Sequence, residues 1–226
     1  MVRPATMSPL LNRTTKVPHQ QSHPIECRSV LVSDFDGTMT RHDFYRLAID
    51  RLIPRDCPNY WEEYRQGRLT HFQALQAYFG TITASEHDVL AMVDQMELDP
   101  QLPQAIAALR SAGWQIVVTS AGCSWYIDYL LASAGVTLEV YANPGAFVPG
   151  QGLKMELPHS AQFRSPTVGV DKAGVVRHWL EQGYRVAFAG DGFPDAEAAR
   201  LVDDTLRFAS RSTPPWWPSI SPACSA

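Results

Sequence analysis

The sequence predicts an α/β fold: a doubly wound parallel sheet with a helical insert and a small β-hairpin. Three observations carry this. Short apolar runs recur at residues 30–33, 115–119, 185–189 and 205–208, each rich in Val, Ile or Phe and bounded by Gly or polar residues, as buried parallel strands are. Helical patterns alternate with them at residues 102–112, 124–134, 172–182 and 194–202. Finally, residues 43–96 break the alternation and carry helical periodicity alone.

Each element has its own local reason. Gly113, Gly135 and Gly183 stand directly after three of the helical patterns, where a left-handed residue ends a helix. Strands that alternate with helices pair in parallel through right-handed crossovers. In the helical insert Val89, Met92, Val93 and Met96 follow the i, i+3, i+4, i+7 spacing of one buried face, and four short helices are expected there. Phe147-Val148, the turn Pro149-Gly150-Gln151-Gly152, and Leu153, Met155 and Leu157 alternating with Lys154 and Glu156 read as a β-hairpin. Prolines crowd both flanks: Pro4, Pro9, Pro18 and Pro24 before the first strand, and Pro214, Pro215, Pro218 and Pro222 after the last. The expected organisation is an irregular arm over 1–28, an α/β core over 29–42 and 98–210, a helical cap over 43–97, the hairpin over 146–157 within the core, and an irregular tail over 211–226.

Composition narrows the class. In 226 residues, hydrophobic types make up 45% and charged types 19%, which excludes wholesale disorder, collagen and coiled coil. A net charge of −4 excludes binding to nucleic acid by general basicity. No run approaches the roughly 18 apolar residues of a membrane span. Cys27, Cys57, Cys123 and Cys224 lie far apart with no C-x-x-C pair, as expected of reduced thiols in a cytoplasmic protein rather than a zinc site or a disulfide framework.

Four strand ends carry the chemistry. Asp34-Phe35-Asp36-Gly37-Thr38 follows the first strand, where ligands of open α/β sheets bind. On an extended chain two residues apart point the same way, so both carboxylates would face one small anionic group, with a cation offsetting their charge. Asp34 would act as nucleophile and Asp36 as acid and base. The other meaning of D-x-D, a calcium loop, would need Gly at Met39 and Glu at Tyr45. Ser120-Ala121-Gly122 ends the second strand before a helix, offering a hydroxyl and free N–H groups to an anion. Lys172 sits in the first turn of a helix capped by Asp171, a position unfavourable to a cation unless it meets an anion. Gly190-Asp191-Gly192-Phe193-Pro194-Asp195 follows another strand; Pro194 suits the first helical position, Asp191 stands open to a metal, and Asp195 is placed to tether Lys172.

Taken in order, D-x-D-G-T, a Ser, a Lys and G-D-G-x-x-D resemble the four motifs of the haloacid dehalogenase superfamily, over residues 30–209. The resemblance implies a Rossmann-like core and a phosphatase with Asp34 as phosphorylated nucleophile and Asp36 as general acid/base. It implies phosphoryl oxygens held by Ser120, Gly122 and Lys172, and Mg²⁺ on Asp34, the Asp36 carbonyl and Asp191, with Asp195 in support. The implied partner is a small phosphorylated metabolite. An all-helical insert and a short hairpin before Lys172 are similar to the phosphoserine-phosphatase-like branch, and the stretch from Tyr141-Ala142-Asn143 to Leu157-Pro158-His159 is similar to its methionine-salvage phosphatases. Phosphoserine phosphatases use a cap Glu and Arg; Asp43 stands near the Glu position, and no Arg lies around residues 75–78. Arg41, His42, Asp43 and Tyr45 are expected near the cap entrance, and Trp125 and Tyr126 are expected to be helix packing. Two readings of another class are a phospho-acceptor switch and a catalytically silent ligand-binding protein. Asp36 and the length of the cap argue against the switch, and the full set of catalytic side chains argues against the silent protein.

Overall fold

The computed structural model describes residues 28–209. Cys27, Cys224 and nearly all of the expected arm and tail lie outside them. In chain order the elements begin with β1 (Ser29–Ser33), then four helices, α1 (Phe44–Arg51), α2 (Tyr60–Arg65), α3 (His71–Gly80) and α4 (Glu86–Val93). Next come α5 (Leu102–Ser111), β2 (Trp114–Cys123), α6 (Ser124–Ser133) and β3 (Glu139–Asn143). A hairpin of β4 (Gly145–Val148) and β5 (Gly152–Met155) precedes two short strands, β6 (Arg164–Ser165) and β7 (Gly169–Val170). The chain then forms α7 (Lys172–Glu181), β8 (Arg185–Gly190), α8 (Ala196–Arg200) and β9 (Arg207–Ala209).

The main sheet is parallel, in the order β3-β2-β1-β8-β9. β1 lies at its centre between β2 and β8, so its carboxyl end opens at the point where the strand order reverses, the place where such sheets bind ligands. Val30, Val32, Val117, Val186 and Phe188 face a core completed by Val175, Val176 and Trp179 of α7. The other face meets the inserted helices: Ile116 and Val118 join Phe44, Leu75, Phe79, Val89, Met92, Val93, Met96 and Ile127 in one buried cluster. The expected face of Val89, Met92, Val93 and Met96 is wholly buried, as its spacing requires.

The glycine stops take the expected conformation, with φ of +81° at Gly113, +66° at Gly135 and +77° at Gly183. Four elements differ from the sequence reading. β3, which was not anticipated, extends the sheet as a fifth strand; only Asn143 of its residues is fully buried, so it lacks the apolar signature of the central strands. β2 continues through Ser120–Cys123, with its register against β3 shifting between Thr119 and Cys123. The helix expected at 194–202 begins as a 3₁₀ turn, Phe193–Asp195, and is α-helical only from Ala196. The strand expected at 205–208 starts at Arg207, because Asp203 caps a 3₁₀ turn over Asp204–Leu206. Among the described residues no helix is long and apolar enough to cross a membrane.

Candidate active site

Asp34 follows β1 directly, and its backbone N–H donates to the Ala189 carbonyl of β8 at 2.8 Å, which fixes Asp34 against the neighbouring strand. The chain then turns. Gly37 has φ +75°, and a Cβ there would stand 2.5 Å from Oδ2 of Asp191. Glycine is therefore required both for backbone conformation and for the approach of Asp191. Both aspartates of the motif line one cavity, as the sequence leads one to expect, but the turn rather than a continuous extended chain brings them there.

Lys172 is buried at the start of α7. Asp171 caps that helix by accepting the Gly174 N–H at 2.8 Å. The Lys172 ammonium donates to Asp34 at 2.6 Å and to Asp195 at 2.5 Å. Burial opposes its charge, but Asp195 and Asp34 outweigh burial and hold the ammonium above its ordinary range. The second oxygen of Asp195 accepts the Gly192 N–H at 2.8 Å and the Asp191 N–H at 3.2 Å, so this wholly buried carboxylate also shapes the loop after β8.

One ammonium between two carboxylates leaves excess negative charge in a buried place. Burial, then Asp195, push the Asp34 carboxyl well above the usual range against the pull of Lys172. Asp191 is pushed up to about 6 by burial and by Asp195. Carboxylate oxygens of Asp34, Asp191 and Asp195 all lie within 4.8 Å of one another. Oxygen donors with unneutralised charge are the chemistry a hard divalent cation requires, so the residues fit one.

Asp36 faces a different set of groups. Its Oδ1 accepts the Phe44 N–H at 3.1 Å, and its Oδ2 accepts the Ser120 hydroxyl at 3.1 Å and the Tyr126 hydroxyl at 2.9 Å. The N–H of Gly122 in turn donates to Oγ of Ser120 at 3.0 Å. Two of the three expected phosphate-holding residues, Ser120 and Gly122, thus line the cavity hydrogen-bonded to each other, and Ser120 also bonds Asp36. Burial first, and the charge of Asp43 next, push Asp36 up to about 7.

Opposite these groups the inserted helices supply Asp43, Tyr45, Arg46, Trp61, His71, Leu75 and Phe79 to a cavity of about 290 Å³. Asp43 caps α1 by accepting the Arg46 N–H. The Trp61 indole N–H donates to the Tyr45 hydroxyl, which stiffens the aromatic wall. Asp43 and Tyr45 therefore stand where the sequence placed them, whereas Arg41 and His42 turn away to Glu97. Arg46, Trp61 and His71 were not singled out from sequence. They lie in helices with no motif, and only packing brings them to the cavity. Tyr126, expected as packing, also bonds Asp36.

A family model described as haloacid dehalogenase-like hydrolase matches residues 31–200. A 2-hydroxy-3-keto-5-methylthiopentenyl-1-phosphate phosphatase of Exiguobacterium sibiricum is 23% identical over 180 residues, 76% of this chain and 80% of that one. A phosphoserine phosphatase of Vibrio cholerae is 30% identical over 107 residues, 45% of this chain and 31% of that one. A solved phosphoserine phosphatase from T. onnurineus in complex with NDSB-201 shares the fold, with a TM-score of 0.56 and 20% identity over 82% of this chain and 87% of that one.

Proposed function

This chain belongs to the haloacid dehalogenase-like hydrolase family, and from that premise we propose that it hydrolyses the phosphate monoester of a small metabolite through an aspartyl phosphate on Asp34. It is a hydrolase acting on phosphate monoesters. The observation that carries the mechanism is the Lys172 ammonium held between Asp34 and Asp195 at the strand ends.

In the first half-reaction an Asp34 oxygen attacks phosphorus and the ester P–O bond breaks. The departing oxygen takes a proton from Asp36, whose carboxyl, pushed up to about 7, is substantially protonated near neutral pH. In the second half-reaction Asp36 takes a proton from water, whose oxygen attacks phosphorus and releases inorganic phosphate from Asp34. Lys172 stabilises charge on the transferring group, and Ser120 and the Gly122 amide would serve the same oxygens once the Ser120 hydroxyl swings from Asp36 to the phosphoryl group. Asp34, the Asp36 carbonyl and Asp191 would hold Mg²⁺, with Asp195 in support; when bound, it supplies positive charge that lets a carboxylate approach an anionic phosphate. The helices over 43–97 form a cap that keeps bulk water from the phosphoenzyme.

For the substrate we propose 2-hydroxy-3-keto-5-methylthiopentenyl-1-phosphate in methionine salvage. The name of the Exiguobacterium relative supports it, as does a cavity walled by Tyr45, Trp61, Leu75 and Phe79, which suits an apolar tail. Arg46 favours a second reading, phosphoserine. It lines the cavity with Asp43 and Asp191, and from α1 it would supply the Arg that is absent from residues 75–78.

The experiment is phosphate release from a panel of these two esters and an aryl phosphate, with and without Mg²⁺, for wild type and Asp34→Asn. The proposal expects Mg²⁺-dependent release that Asp34→Asn abolishes, with the methylthiopentenyl ester preferred. Release from none of the esters by folded wild type overturns the phosphatase mechanism for them; preference for phosphoserine transfers the assignment to the second reading.

A further inference from the structure

We propose that Tyr126 is the positioning residue of the acid/base Asp36, an assignment that rests on the phosphatase reading above. Tyr126 lies on α6, 90 positions from Asp36 in sequence, and is 1% exposed. Its hydroxyl stands 2.9 Å from Oδ2 and 3.1 Å from Oδ1, spanning both oxygens of one carboxylate. Its ring stacks on Phe44 at 4.4 Å between centroids and 15° between planes. Phe44 in turn gives its backbone N–H to the same carboxylate. The two rings and the two donors therefore fix Asp36 as a unit, with α1 and α6 as its walls.

A further observation is independent of these hydrogen bonds. A Cβ on Gly122 would stand 1.7 Å from the Tyr126 hydroxyl and 2.9 Å from Oδ2 of Asp36. The absent side chain at Gly122 is the space the phenol occupies. Tyr126 thereby holds Asp36 aimed at the leaving oxygen, and its loss is felt where a proton must be delivered.

The test compares Tyr126→Phe with wild type on an alkyl phosphate, whose departing alkoxide needs a proton, and on p-nitrophenyl phosphate, whose phenolate leaves without one. The readout is the ratio of the two kcat/KM values, which covers steps through phosphoenzyme formation and excludes the shared hydrolysis step. General acid catalysis contributes on the order of 10²–10⁴-fold, so misplacing the acid is expected to cut kcat/KM on the alkyl ester by about tenfold or more and on the aryl ester by less than about twofold. Both esters are read on one preparation, so loss of folded enzyme cancels from the ratio. Should Tyr126→Phe yield no folded protein, Tyr126→Met, which keeps a long apolar side chain without the hydroxyl, is read for the same ratio. An unchanged ratio, with both esters falling together or neither falling, overturns the assignment. If wild type releases phosphate from neither ester, the phosphatase reading has failed and the assignment falls with it; Asp34→Asn, inactive on both esters, marks that distinction.

Discussion

Asp195 grips the Lys172 ammonium at 2.5 Å with one oxygen and uses the other to gather the Asp191 and Gly192 N–H groups. One buried side chain thus couples the cation that faces Asp34 to the loop that presents Asp191. Neither duty can be removed without the other, which makes this pair the mechanical centre of the site.

Replacing Lys172 by Met keeps most of the side-chain volume but strands Asp34 and Asp195 without their cation. Breaking a buried pair by removing one partner costs about 3–5 kcal/mol, because the remaining charge stays desolvated. Urea denaturation of Lys172→Met at neutral pH should show a loss of that size, with phosphate release gone as well. A stability within about 0.5 kcal/mol of wild type would mean that the carboxylates are neutral in the folded protein and that the ammonium does not hold them.

The excess negative charge around Asp34, Asp191 and Asp195 gives a second expectation. A ligand that binds only the folded state raises its stability by RT ln(1 + [L]/Kd), about 2.7 kcal/mol at one hundred times Kd. Thermal melts should therefore rise with Mg²⁺ concentration in wild type and fall back on chelation. Asp191→Asn removes one carboxylate from the trio and should flatten that response. Equal Mg²⁺ responses in the two proteins would remove Asp191 from the metal set.

Gly37→Ala tests the turn itself. The left-handed conformation costs a residue with a Cβ roughly 1–2 kcal/mol. The added carbon would also press on Oδ2 of Asp191 at 2.5 Å. A modest loss of stability should accompany a disproportionate loss of activity and of the Mg²⁺ response, since the atom displaced is a proposed ligand. Full activity in Gly37→Ala would show that the Asp191 carboxylate can move without consequence.

How far the sequence could be read follows from the range of the interactions. Gly113, Gly135 and Gly183 end their helices through their own φ angles, and Asp171 caps its helix through a bond three residues long, so these were legible locally. The motif residues were legible because their order along the chain is a pattern in itself. β3 was not, since Glu139 and Tyr141 give an edge strand a mixed polarity that no local period marks. The shortened α8 was missed for a similar reason. Asp195 bends back to the Asp191 and Gly192 amides, and tertiary need overrode the helix that Pro194 announces. Tyr126 read as packing because its ring does pack, and nothing near it in sequence says that its hydroxyl meets Asp36.

His71 is the furthest from any motif and makes the sharpest pH prediction. It stands at the start of α3 with its ring against Trp61 at 5.2 Å and Tyr64 at 5.8 Å, and its Nδ1 is buried without a hydrogen-bond partner among the described residues. Burial first, and the charge of Lys172 next, bring its pKa down from the ordinary 6.5 to about 4. Between those values the unfolded chain binds a proton at this position that the folded chain does not. Stability therefore rises with pH across the window. The contribution is fully present above about pH 6.5 and is lost as pH falls toward about 4, a change on the order of 3 kcal/mol. His71→Phe keeps the ring contacts and has nothing to titrate. Urea midpoints of the two proteins between pH 6.5 and 4.5 should diverge, wild type falling more steeply by roughly 2 kcal/mol, while the raised carboxylates of the site act equally on both. Parallel curves would mean that the imidazole reaches water and carries its proton in the folded state, and the cavity wall at α3 would then be open rather than closed.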